Sequence, residues 1–295
     1  MKRAIDRIRT DVLEAMQTGR APWQKPWVPG EGVMTPYNGH TGRRYTGWAN
    51  VLSLFWASER TGFNSGAWFT FNQVKDMGRS VRKGQKGTHI EFWRTCKKKV
   101  KDDQGNETDE ERSFPISKIY TVFNEDQLDE PLGEEKASPK IQPRDLQFVL
   151  DLADAAGIKL AFGGGDSAYY RPGADLVRSP DLDQYKSETG AIETLVHEFV
   201  HWTGHPDRLD RDKSCYATEE LVAESGAWLL AMELDLPFSP QNSTSYLAGW
   251  ASKVDDPEKA LDKALANANA AVKYLLDAAE KAGLLESRQT AAKAA

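Results

Sequence analysis

The sequence predicts an α+β protein of two domains, a basic mixed α+β domain followed by an acidic one built around two metal-site helices. Three observations predict it. Residues 1–101 carry 19 Lys and Arg against 7 Asp and Glu, and the remainder carries 19 against 37. A positive surplus of 12 followed by a negative surplus of 18 marks two modules, although the whole chain nets only −6. Such asymmetry points the first module towards a polyanion. Second, residues 128–143 are acidic, proline-containing and poor in apolar side chains, which reads as an interdomain linker. Third, His197-Glu198-Phe199-Val200-His201 is an HExxH signature, and Glu220 and Glu224 follow it at the same i,i+4 spacing. The expected division is 1–127, linker 128–143, 144–285, and a fraying tail 286–295.

Taken in order, residues 3–17 carry the stripe Ile5, Ile8, Val12, Leu13 and Met16 of an amphipathic helix, ended by Gly19. Pro22 and Pro26 then impose an extended segment that sets Trp23 and Trp27 around Lys25. A glycine-rich loop holds Arg43, Arg44 and Tyr45, and Leu52, Phe55 and Trp56 suggest a short buried helix. Trp68–Phe71 alternates as a strand, and Gln73–Met77 reads as a helical turn closed by Gly78. Arg82, Lys83 and Lys86 lie in a glycine-punctuated basic turn. His89–Arg94 is a strand running into Lys97–Lys101, and an acidic loop over 102–113 returns the chain into a strand from Ile116 to Asn124.

Basic side chains interleaved with aromatics suit single-stranded nucleic acid. Unpaired bases expose faces for stacking, about 1–3 kcal/mol each, while Lys and Arg follow the phosphates. No helix-turn-helix or zinc-finger pattern offers an instrument for reading duplex grooves. Single-stranded DNA is therefore the expected partner. The candidate contacts are Trp23, Lys25, Trp27, Arg43, Arg44, Tyr45, Arg82, Lys83 and Lys86. Any one of these aromatics can equally be core; the module as a whole carries the reading.

In the second module, Leu146, Val149, Leu150, Leu152 and Ala153 stripe a helix over 144–157 that stops at Gly157. Ile158–Phe162, Ala168–Pro172 and Asp175–Arg178 read as strands. The Gly163–Gly165 turn lacks the Lys-Ser/Thr of a phosphate loop. Ile192, Leu195, Val196, Phe199 and Trp202 recur at helical spacing and leave His197 and His201 on another face. Gly204 offers a C′ stop and Pro206 prevents continuation. Two imidazoles one turn apart can hold a metal, and Glu198 can take a proton from a water there.

A third ligand is required. Thr218 can cap a second helix on which Glu220 and Glu224 share a face. One carboxylate would bind the metal and the other would hold a ligand histidine through its free N–H. Glu220 is assigned as ligand and Glu224 as supporter, the reverse remaining open. His205, eight residues after His197, is a rival that falls past the helix stop. Zinc is the expected metal, with another divalent ion such as manganese as the alternative. Beyond these helices come Pro237 and Pro240, a short helix near 245–251, and an alanine-rich helix over 257–282 ended by Gly283.

No apolar run approaches 18 residues, so no membrane partner is expected, and the N-terminus lacks the apolar core of a signal peptide. Cys96 and Cys215 form neither a CxxC nor a disulfide framework, which fits a reducing cytoplasm.

Several blocks together carry a family resemblance. They are Gly19–Trp27, Thr41–Gly47, Val81–Gly87, Val122–Gln127, His197–Gly204 and Glu219–Glu224. In order and nearly end to end, they resemble the ArdC-type antirestriction proteins of conjugative plasmids, whose N-terminal part is similar to plasmid primase regions. The second-helix spacing E-x-x-A-E also resembles that of gluzincin peptidases, where the first acid is the ligand. The resemblance implies a single-stranded-DNA-binding domain and a zincin-like, gluzincin-type metallopeptidase domain with a strand edge beside the metal. It also implies a role in helping incoming plasmid DNA survive restriction. A true metallopeptidase that cuts a restriction-system or regulatory protein is the alternative. A DNA mimic is disfavoured, because mimicry needs a broad acidic face and the first third is basic.

Overall fold

The computed structural model describes residues 36–45, 47–101, 107–130, 144–238, 254 and 256–285. The expected helices over 3–17 and 245–251, the Trp23–Trp27 segment and the tail lie outside the described residues. The described chain falls into two compact units, 36–130 and 144–285.

The first unit is a sheet with a helix against each face. Its strands are β1 (Tyr37–Asn38), β2 (Ala67–Thr70), β3 (Thr88–Lys101) and β4 (Glu107–Asn124), in the order β1-β2-β4-β3. β1 and β2 are parallel and the other pairs antiparallel. Successive residues of a strand face opposite sides, yet Trp68 and Phe69 are both fully buried. β2 is therefore covered on both faces. Trp68 packs with Tyr45, Leu54, Ala57, Ile90 and Val122, which include residues of α1 (Trp48–Thr61). Phe69 packs with Tyr37, Ala67, Val74 and Leu128, which include Val74 of α2 (Phe71–Asp76).

Three local expectations change here. The strand expected to end at Phe71 ends at Thr70, whose side chain forms a capping box with Gln73 and starts α2 at once. The expected acidic hairpin loop is narrower, because pairing with β3 brings residues from Glu107 onward into β4. The linker cannot begin at 128: Leu128 is 2 % exposed and bridges Val81, and Asp129 binds the Ser80 amide. A core contact outweighs the linker-like composition around it.

Among the described residues the second unit combines a small sheet and four α-helices. α3 (Leu146–Ala156) is capped by Asp145 and closed by Gly157 at φ 78°. The sheet holds β5 (Lys159–Phe162), β6 (Tyr169–Arg171) and β7 (Leu176–Ser179) in the order β5-β7-β6, with β6 an antiparallel edge. Then come α4 (Glu188–Thr203), capped by Ser187, α5 (Tyr216–Leu234) and α6 (Pro257–Lys281). α5 starts after Cys215 with no side-chain cap, so Thr218 lies in its first turn and does not cap it. α6 buries Leu261, Leu265, Val272, Leu275 and Leu276 among alanines and packs against α5, α3 and α4. Between α4 and α5 the contact is tight. A Cβ on Gly226 would sit 2.8 Å from Val200 Cγ1. The missing side chain lets the two helices approach where their histidines and glutamates face each other.

Candidate metal centre

α4 directs Leu195, Val196, Phe199, Val200 and Trp202 inwards and leaves His197 and His201 half-buried. The two Nε2 atoms are 3.1 Å apart. Across the interface, Glu220 of α5 places Oε1 3.4 Å from His201 Nε2 and Oε2 3.7 Å from His197 Nε2. Donor atoms of these three residues lie within 4.8 Å of one another. Four ligands at about 2.1 Å around a tetrahedral ion are about 3.4 Å apart, which is the scale of all three separations.

The remaining ring nitrogens point the same way. His197 Nδ1 is 3.3 Å from Glu224 Oε1, and His201 Nδ1 is 3.1 Å from Glu219 Oε1. A carboxylate on Nδ1 keeps the proton there and turns the Nε2 lone pair outwards. Two such lone pairs face each other at 3.1 Å, and a cation between them, a proton or a metal ion, relieves their repulsion. The donor set thus fits a divalent metal. The two glutamates at i,i+4 divide: Glu220 faces both Nε2 atoms and Glu224 faces Nδ1 of His197. His205 is not in the group and sits 3.5 Å from Asp207.

Glu219 and Arg211 are the residues that sequence reasoning missed. Both are buried, at 7 % and 8 % exposure. Arg211 Nη2 donates to Glu219 Oε1 at 2.7 Å and Nε to Oε2 at 3.2 Å, a two-pronged pair. The same guanidinium donates to Thr203 Oγ1 and the Val200 carbonyl. Burial raises the Glu219 carboxyl, but His201 and Arg211 hold it below its ordinary value. Gly204 belongs to this arrangement. It is not the left-handed stop that was expected, having φ −80°. A Cβ there would lie 2.7 Å from Arg211 Nη2, so the glycine makes room for the guanidinium. Glu219 was visible only as the neighbour of Glu220, and Arg211 left no signal.

Glu198 is 8 % exposed, and burial raises its carboxyl against the pull of His197 and His201. Tyr170 lines the same cavity as Glu198. Tyr170 lies on the edge strand β6, which therefore borders the centre. The Tyr170 hydroxyl donates to Asp175 and accepts from Arg208. Burial and Asp175 push it up to about 12. Its hydroxyl is thus held by Asp175 and Arg208. A cavity of about 540 Å³ opens over the site, lined among others by Tyr169, Glu193, Lys213 and Tyr216.

The expected DNA contacts divide by what the structure describes of them. Trp23, Lys25 and Trp27 lie outside the described residues. Arg43 and Arg44 are half-buried, and Lys83 and Lys86 are exposed. Arg82 is exposed too, but donates to the Asp126 carbonyl. Tyr45 is the correction: it is 5 % exposed, sits in the Trp68 core, and cannot offer its ring to a base. A buried tyrosine and a stacking tyrosine look alike in a loop, so the core alternative left open for each aromatic is the one that holds at Tyr45.

The fold and this centre define a two-domain α+β protein whose second domain is zincin-like. The chain matches the model of the N-terminal domain of anti-restriction factor ArdC over residues 2–123 and that of zincin-like metallopeptidases over 149–267. It is similar to the metal-free antirestriction ArdC protein of plasmid R388, with 31 % identity, TM-score 0.71, and coverage of 94 % of this chain and 98 % of that one. The Mn(II)-bound form of that protein matches at 29 % identity and TM-score 0.68, over 93 % and 97 % of the two chains. The chain belongs to the ArdC antirestriction family. DNA primase TraC of Escherichia coli is 32 % identical over 289 residues, which are 90 % of this chain and 19 % of TraC. A second TraC matches at 32 % identity over 92 % of this chain and 27 % of its own length. The chain thus spans less than a third of these primases. Protein y4eC of Sinorhizobium fredii is 29 % identical, over 89 % of this chain and 88 % of y4eC. No helix among the described residues is long and apolar enough to cross a membrane.

Proposed function

We propose that this protein is a cytoplasmic, single-stranded-DNA-binding antirestriction factor that protects incoming conjugative plasmid DNA. Its first domain, ending near residue 130, would hold the strand, and its second would carry a metal centre. The observation that carries this reading is the surplus of 12 positive charges over residues 1–101, in the region that matches the ArdC N-terminal domain. Arg43, Arg44, Lys83 and Lys86 are the described basic candidates for phosphate contact. Plasmid transfer into restricting and non-restricting recipients tests the role. Rescue by the protein only in the restricting recipient is expected; equal transfer with and without it refutes the role.

A second reading, that the centre is a working peptidase, is favoured by Glu198. His197, His201 and Glu220 would hold zinc or manganese, with Glu224 and Glu219 orienting the imidazoles. The ion, when bound, would polarise a scissile carbonyl and acidify a water. Glu198 would accept a proton from that water and pass it to the leaving amine. Its burial raises its proton affinity, and it lines the same cavity as Tyr170 of the β6 edge. Glu198→Ala separates the two readings. Metal binding stays within a few-fold of wild type in that variant. If the variant rescues transfer as well as wild type, hydrolysis is not how the protein defeats restriction.

A further inference from the structure

Phe71 opens α2 and is 52 % exposed, although its neighbours Phe69 and Val74 are fully buried. Its ring centroid lies 6.3 Å from that of Phe123, tilted by 60°. Phe123 shares a face of β4 with Thr121 and Ile119, and Ile119 is 37 % exposed. Nothing in the core requires an open aromatic pair at this place.

The basic turn reaches the same place. A Cβ on Gly87 would sit 2.3 Å from Thr121 Cγ2 and 3.0 Å from the Phe123 ring. Only glycine permits this approach, which seats the residue next to Lys86 against Phe123. The turn is also fixed in shape. Val81 bridges Leu128, Gln127 Nε2 donates to the Lys86 carbonyl at 2.9 Å and to Gln85 Oε1 at 3.1 Å, and Arg82 donates to the Asp126 carbonyl. The nearby acids are engaged elsewhere: Asp126 by the Asn64 and Ser65 amides, Glu125 by the Ser65 hydroxyl, Asp129 by the Ser80 amide. Lys83 and Lys86 stay exposed, and neither forms an ion pair with a described residue.

Another exposed aromatic is arranged differently. Phe92, 50 % exposed, lies on the opposite face, edge-on to Tyr120 at 5.4 Å, while Lys118 sits 4.9 Å over the Tyr120 ring. That cluster uses its own cation and its own edge to cover the tyrosine face.

We propose that Phe71, Phe123 and the Lys83–Lys86 turn form the seat for single-stranded DNA, with a base stacked on Phe71 and neighbouring phosphates meeting Lys83 and Lys86. This rests on the reading of the first domain as a single-strand binder, and it moves the contact surface away from Tyr45. An exposed aromatic ring next to exposed cations on a rigid turn is the combination that takes an unpaired base with its phosphate.

Anisotropy titration of the full chain with dye-labelled oligothymidylate tests it. Phe71→Ala weakens binding roughly 5- to 150-fold, the range of one lost base stack. Phe71→Trp keeps binding near wild type and adds fluorescence quenching, which shows that loss in the alanine variant is not misfolding. Replacing Lys83 and Lys86 together by alanine lowers the log–log salt slope by about 1.4, the value for two phosphates of a single strand. Phe92→Ala stays within twofold. If wild type binds and the Phe71 and lysine variants bind equally well, this surface is wrong while the single-strand reading stands. If Phe71→Ala loses duplex DNA as strongly as single-stranded DNA, stacking is not the cause and the seat is refuted. If wild type binds no oligonucleotide, both ideas fall.

Discussion

The two units treat charge in opposite ways. In the second, Arg211, Glu219, His201, His197, Glu220 and Glu224 run from a buried guanidinium to a half-buried donor set, and each group meets an opposite partner. In the first, Lys83 and Lys86 stand exposed on a turn whose backbone is fixed by Gln127 and Leu128. The contrast is one of preorganisation. A metal centre gains from donors fixed by buried pairs, because reorganising them would weaken the ion. A strand-binding surface keeps its charge accessible, because its attraction comes from releasing counterions at phosphates.

The comparison is tested most severely at Arg211. Arg211→Ala leaves Glu219 buried without its cation, and breaking such a pair typically costs about 3–5 kcal/mol. Chemical denaturation followed by signals from each unit should show the loss in the second unit alone. Simultaneous destabilisation of the first would mean that the two units are not energetically separate.

Tyr45 gives a matching test on the first unit. Burial pushes its phenol up to about 12, above the ordinary value near 10. A raised acid is stabilising while neutral. The contribution is complete below pH 10, shrinks as pH rises from 10 to 12, and is gone above that. The total is about 3 kcal/mol for a two-unit shift. Tyr45→Phe removes this alkaline dependence, so wild-type stability should fall relative to the variant's by about 3 kcal/mol as pH rises from 10 to 12. Parallel curves from pH 9 to 12 would contradict a buried phenol.

The smallest effect concerns the outer carboxylates. Glu224→Gln keeps the shape but weakens the hold on His197 Nδ1, and loss of such a partner lowers metal affinity about 10- to 100-fold. Competition with a chromophoric chelator measures it. An unchanged affinity would mean that Glu224 does not orient His197. The same substitution should leave oligonucleotide binding untouched, which sharpens the division between the units.

Much of this arrangement was legible in advance. The i,i+4 spacing of His197 with His201 and of Glu220 with Glu224 put each pair on one helical face, since the helix repeats every 3.6 residues whatever surrounds it. The charge split and the HExxH signature marked two modules, and the glycines at 157 and 87 marked turns. Local rules were enough there because the causes are local.

Other features came only with the folded chain. Glu219 lies beside Glu220 in sequence, yet one meets Arg211 and His201 Nδ1 and the other meets both Nε2 atoms. The direction each faces is set by how α5 approaches α4 over Gly226. Tyr45 was assigned to a surface and lies in a core, and Phe71 was assigned to a strand and lies exposed beside a basic turn. Composition and spacing determine which side chains an element displays. Which displayed face meets another element, and which meets water, is decided by packing between segments far apart in the chain, and no local pattern encodes that.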